Sequence, residues 1–219
     1  MGKSAPFVIA GVVAVLAAGG TLALSWQSDT SGPAAVSQSA PGGPFQLTTH
    51  EGGVLSDRDL KGQPFALFFG FTHCPEICPT TMWEMASALD ALGDDGDDLK
   101  VLFVTVDPER DTQEFLGQYL SAFDPRIIGL TGPLADVGAL GRHYNAYWDK
   151  VPLKNGGYTM NHTANVYLMD GSGQYFDVIG FGEDPKSRVK KLRALLATAP
   201  KPHDGNAADH RASTFAQSR

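Results

Sequence analysis

A layered α/β fold is predicted for this chain of 219 residues by three features of its middle: an apolar run at 65–71 (FALFFGF), a second at 101–106 (VLFVTV), and a stretch of helical period after each. Runs that are apolar at every position suit strands covered on both faces, and strands alternating with helices pair mainly in parallel. With 42% hydrophobic and 19% charged residues, the composition suits one globular domain with extensions. The 17 basic and 24 acidic residues give a net charge of -7, and no basic cluster is present to neutralise a phosphate backbone, so nucleic acid is excluded as a partner.

Taken in order, Phe45 to Leu47 and then Val54 and Leu55 flank a turn at His50 to Gly53, which predicts a short hairpin. Residues 56–60 form a helical turn. The strand at 65–71 leads to a helix over 79–92, with Met82, Met85, Ala86 and Leu89 on one face, so both methionines are core residues. After the strand at 101–106, Asp111 followed by Glu114 reads as a capping box that opens a helix ending at Phe123. A third strand at 127–130, a third helix at 133–148, a hairpin of 164–169 with 174–179 turning at Asp170 and Gly171, and a last helix at 185–196 complete the pattern. His143 and Tyr144 are structural residues of the third helix. This order fits a thioredoxin-like core over residues 44–198.

The ends read differently. Residues 5–24 carry no charge, and 20 helical residues cover roughly 30 Å of hydrocarbon. Lys3 precedes the run and Trp26 follows it, which predicts a single-pass anchor over 1–26 rather than a cleaved signal peptide. The amino terminus is then cytoplasmic and the folded domain lies on the outer, periplasmic or equivalent, face. Residues 27–43 are small, polar and rich in Gly and Pro, as in a flexible linker, and 199–219 lack any apolar period, as in a disordered tail.

The chemistry is concentrated in two cysteines, Cys74 and Cys78, too few for a disulfide framework or a four-ligand zinc site. Pro75 and Pro79 bias the residues before them away from helix, so the pair lies on a loop between strand and helix, with Pro79 at the first helical position. A sulfur at a helix N-terminus is favoured as thiolate. Three residues separate the cysteines, a wider bite than a C-x-x-C redox motif. Two soft sulfurs suit Cu(I), an activated thiolate suits thiol exchange, and an oxidising compartment suits an inert disulfide; the residues alone leave all three open. No Walker loop, dinucleotide fingerprint, H-E-x-x-H or G-x-S-x-G motif is present.

The stretches FFGFTHCPEICPTTMWEM (68–85), VLFVTVDPERDT (101–112), FDPRIIGLTG (123–132) and NHTANVYLMD (161–170) resemble the Sco/SenC family of copper-binding proteins that assemble cytochrome c oxidase. The resemblance implies a thioredoxin-like domain tethered to a membrane, with copper held by Cys74, Cys78 and His162. Without it, His162 reads as a surface or capping histidine. The implied function is a metallochaperone that delivers copper to the dinuclear centre of cytochrome c oxidase subunit II, served by an upstream copper donor or thiol reductase. The alternative is a thiol-disulfide oxidoreductase with Cys74 and Cys78 as its redox pair, which reduces the recipient's cysteines. The family commonly has Asp before the histidine where this chain has Asn161. His73 and Asp107 are secondary candidates, the first for tuning a thiol and the second for its place at the same sheet edge.

Overall fold

The computed structural model describes residues 40–154 and 156–199. Its elements are β1 (Gln46–Thr49), β2 (Val54–Ser56), β3 (Phe65–Gly70), α1 (Ile77–Leu92), β4 (Lys100–Thr105), α2 (Gln113–Leu120), β5 (Ile127–Thr131), α3 (Leu134–His143), β6 (Trp148–Pro152), β7 (Tyr158–His162), β8 (Val166–Met169), β9 (Tyr175–Ile179) and α4 (Pro185–Leu196), with a 3₁₀ turn over Gly93–Asp98. Seven strands form one sheet in the order β2-β1-β5-β4-β3-β8-β9, while β6 and β7 pair only with each other.

The sheet centre is parallel, with Phe65 opposite Lys100 and Val101 opposite Ile127; β8 joins β3 and β1 joins β5 antiparallel. Every residue of β3 is buried, which is why its sequence shows no alternation. Successive side chains face opposite sides of a strand, so Phe68 packs beside Phe103 while Phe69 meets Tyr144, Trp148 and Tyr167. Met82 and Met85 are buried in the core, as their spacing predicts. On α4, Asp184 accepts from the amides of Lys186 and Ser187, and buried Arg188 pairs with Glu84 of α1 at 2.8 Å. This is the thioredoxin-like arrangement expected.

Several boundaries differ. The third helix stops at His143 and not at 148, because Asn145 takes φ 53 and the amides of Asn145 and Ala146 donate back to the carbonyls of Arg142 and Gly141. That is a Schellman closure with Asn in the left-handed position. The chain beyond it becomes β6. The first helix begins at Ile77, two residues before Pro79, since a proline in the first turn removes an amide that has no intrahelical partner in any case.

The membrane part of the expected fold class and location is corrected. Among the described residues no helix is long and apolar enough to cross a membrane. The longest, α1, has 16 residues, or about 24 Å, and buries one face against the core. Residues 1–26, which carried the expectation of an anchor, lie outside the described residues, as do 27–39 and 200–219.

A glycine fixes how α3 meets the β6–β7 hairpin. A Cβ added at Gly141 would lie 2.3 Å from ring carbons of Trp148, which is also stacked on Phe69. Gly141→Ala gains about 1 kcal/mol of helix propensity but overpacks a rigid ring, which costs about 1–3 kcal/mol. The expected net result is a loss of about 1 kcal/mol, seen as a lower urea midpoint at unchanged slope.

Candidate metal centre

The cysteine loop begins where β3 ends. The Thr72 amide donates to Asp111 Oδ2 at 2.9 Å, its hydroxyl donates to Oδ1 at 2.5 Å, and the Thr105 hydroxyl donates to Oδ2 at 2.6 Å. Asp111 is fully buried. Its expected part as a helix cap is therefore corrected: Thr112 caps α2 by accepting from the Phe115 amide, while Asp111 holds the cysteine loop to the end of β4. A buried carboxylate is retained where donors satisfy it, and here three do.

Cys74 is half-buried and Cys78, at the second position of α1, is buried; both are free thiols. The Cys78 amide donates to Cys74 Sγ at 3.4 Å. His162 ends β7 with Nε2 3.5 Å from Cys78 Sγ, and its Nδ1 lies 3.0 Å from the Thr163 carbonyl. A carbonyl only accepts, so Nδ1 carries the proton and Nε2 is left facing the sulfurs. Phe68 and Phe71 meet the imidazole edge-on at 5.9 and 5.7 Å between centroids and fix its plane.

The ligating atoms of Cys74, Cys78 and His162 all lie within 4.8 Å of one another. An ion bound at about 2.0–2.3 Å by two sulfurs and a nitrogen needs them about 3.5–4 Å apart, so a small closure suffices. The donor set of two thiols and one neutral imidazole suits a soft ion. A hydrogen bond from the Cys78 thiol is the largest influence on Cys74 and, with the amides of Cys78 and Glu76, brings its pKa down to about 3. Cys78 is pushed well above the thiol range, first because it donates to Cys74 and then by burial. The two sulfurs titrate as a pair that loses one proton readily and holds the other.

The secondary candidates separate. His73 lies outside the cluster: its ring stacks on Phe115 at 5.3 Å and its Nδ1 is 3.0 Å from the Thr72 hydroxyl. Asp107 is buried and bonded to Arg110 and to the Tyr158 hydroxyl, so it touches the hairpin that bears His162 and not the ligands themselves. Asn161 is exposed and stands opposite Asp149 across the hairpin. Thr72 and Thr163 were not anticipated. Thr72 directly precedes the H-C-P stretch, but its partner is 39 residues away, beyond any local pattern.

Fold and site together define a thioredoxin-like protein with a candidate centre of two sulfurs and one imidazole. The chain belongs to the SCO1/SenC family, whose model matches residues 33–197. Among solved structures, ScoI of Bradyrhizobium japonicum with copper bound is 44% identical, covers 71% of this chain and 99% of its own, and gives a TM-score of 0.67. Yeast Sco1 with copper bound is 33% identical over 80% of this chain and 94% of its own, with a TM-score of 0.68. The human mitochondrial SCO1 homolog is 36% identical over 165 residues, 74% of this chain and 54% of the relative. The chain thus spans about half the length of that relative.

The low pKa of Cys74 has a direct readout. In the reduced, metal-free protein, alkylation by iodoacetamide should map to Cys74 and stay nearly constant from about pH 5 to 8, where an ordinary thiol speeds up about tenfold per unit. A rate that climbs with pH across that range would contradict the assignment.

Proposed function

We propose that this protein carries one copper ion on Cys74, Cys78 and His162 and delivers it to the dinuclear copper centre of cytochrome c oxidase subunit II. The observation that carries the reading is the convergence of the three ligating atoms, which come from two separate segments of the chain, within 4.8 Å. Family membership and copper in the solved structures of two relatives support it.

The chemistry follows from the residues. Copper is the cargo. Cys74 is already a thiolate near neutral pH, so loading Cu(I) on both sulfurs releases one proton, that of Cys78. The imidazole Nε2 completes a three-coordinate site, with Nδ1 directed at the Thr163 carbonyl. Cys74 is the more exposed sulfur, so an incoming thiolate from the recipient reaches the ion on that side. Transfer then proceeds by ligand exchange, with each bond to copper replaced by another and no change in oxidation state.

A second reading is favoured by the same asymmetry. Both cysteines are free, Cys74 is an accessible thiolate and Cys78 a buried partner, as in a dithiol that attacks a disulfide with one sulfur and resolves it with the other. His162 separates the two readings, since dithiol exchange has no use for an imidazole ligand.

Anaerobic titration of the reduced protein with Cu(I) against a competing chelator tests them. One-to-one binding that is abolished by Cys74→Ala or Cys78→Ala and weakened by about tenfold or more, about 1.4 kcal/mol, by His162→Ala is the expected result. Weak binding indifferent to His162, with disulfide reduction intact, would transfer the assignment to the oxidoreductase.

A further inference from the structure

The hairpin that bears His162 keeps its own register through five ladder pairs and the Thr163 amide, which donates to the Tyr147 carbonyl at 2.9 Å, so what other contacts must fix is its seat against the main sheet. β6 and β7 pair only with each other, outside the seven-stranded sheet, and an isolated two-stranded hairpin is at best marginally stable in water. At its open end Trp148, directly opposite His162, stacks on Phe69. At the other end stands Tyr158, the first residue of β7, four residues from His162 and on the same face of the strand.

Tyr158 is gripped at three points by the segment that follows β4. Its hydroxyl donates to Asp107 Oδ1 at 2.8 Å, and its carbonyl accepts from Arg110 Nη1 at 2.9 Å. The Arg110 guanidinium lies 3.8 Å from the centre of its ring. Arg110 is itself bonded through Nε to Asp107 Oδ2, and Asp107 is 1% exposed, so backbone, ring and hydroxyl meet one rigid unit. Lys150 of β6 extends the contact, lying over the same ring at 4.6 Å and bonded to Glu109 at 2.6 Å. β4 is paired residue by residue with β3, which delivers the cysteine loop. The distance from sulfur to imidazole is therefore set through a chain of fixed contacts: cysteine loop, β3, β4, Asp107 and Arg110, Tyr158, β7, His162.

We propose that Tyr158, held by Asp107 and Arg110, is a positioning residue that seats β7 against the segment following β4 and so places His162 Nε2 against the two sulfurs. The inference rests on the reading of His162 as a copper ligand. Removing the grip leaves the cysteines in place and loosens only the third ligand.

A double-mutant cycle on the reduced full chain, read by Cu(I) affinity against a competing chelator, tests it. Tyr158→Phe deletes one hydroxyl; Arg110→Lys keeps the charge but gives up the bond to the Tyr158 carbonyl and so serves as an independent variant. Each is expected to weaken binding by about tenfold in the native background, the scale of groups that orient a ligand. Neither should change it by more than about twofold when combined with His162→Ala. Unchanged affinity in both variants, or an equal loss with and without His162, would overturn the proposal while the ligand reading stands. If His162→Ala alone has no effect, the ligand reading fails and the positioning role fails with it.

Discussion

Two carboxylates, Asp107 and Asp111, are buried where β4 ends, and neither can stay there without donors. The donors come from opposite sides of the candidate centre. Thr72, two residues before Cys74, serves Asp111; Tyr158, at the start of the strand that ends in His162, serves Asp107. Satisfying the carboxylates thus brings the two arms of the site to a common frame. The parallel pairing of β3 with β4 supplies that frame, because Gly70 is in register with Thr105 and the loops leave the sheet side by side. The two sulfurs and the imidazole converge because polar groups behind them cannot be left unpaired.

The sulfurs differ in what they can do. Cys78 is buried under the hairpin with His162 over it, whereas Cys74 is open on one side. An exposed anion is reachable by a partner's ligand, and a buried thiol is shielded from casual oxidation and alkylation. This asymmetry serves both readings of the site. The imidazole bears on the copper reading in particular, because its contacts with Thr163, Phe68 and Phe71 leave Nε2 toward the sulfurs, the orientation that reading requires.

Much of this was legible in the sequence, and the exceptions share a cause. β3 and β4 are buried on both faces, so their apolar runs are unbroken; α1 and α4 have one face each on the core, so their period shows. The cysteines announce themselves by local spacing. The β6–β7 hairpin does not, because WDKVP and YTMNH mix charge, proline and amide, and their strand character comes from pairing with each other and from the grip on Tyr158. His162 is a candidate ligand only through family resemblance for the same reason. Asp111 was misread because Asp111 and Glu114 reproduce a local capping pattern, while the carboxylate's partners are Thr72 and Thr105. What escaped is nonlocal in each case.

The loop chemistry links the fold to the electronic state of the site. Glu76, at the N-cap of α1, makes no side-chain bond to the helix, and Pro79 has no amide to be capped. The Cys78 amide turns instead to Cys74 Sγ, so the sulfur occupies the place a capping oxygen would take. An anion there is favoured by the positive end of the helix, and the contact that starts α1 adds to the larger effect of the Cys78 thiol in keeping Cys74 ionised. Pro75 restricts Cys74 before it, which stands outside the helix, so the loop has few other conformations to leave. The entropy of bringing two sulfurs together is then largely lost on folding. An incoming soft ion meets a site already assembled, which raises affinity without any additional contact.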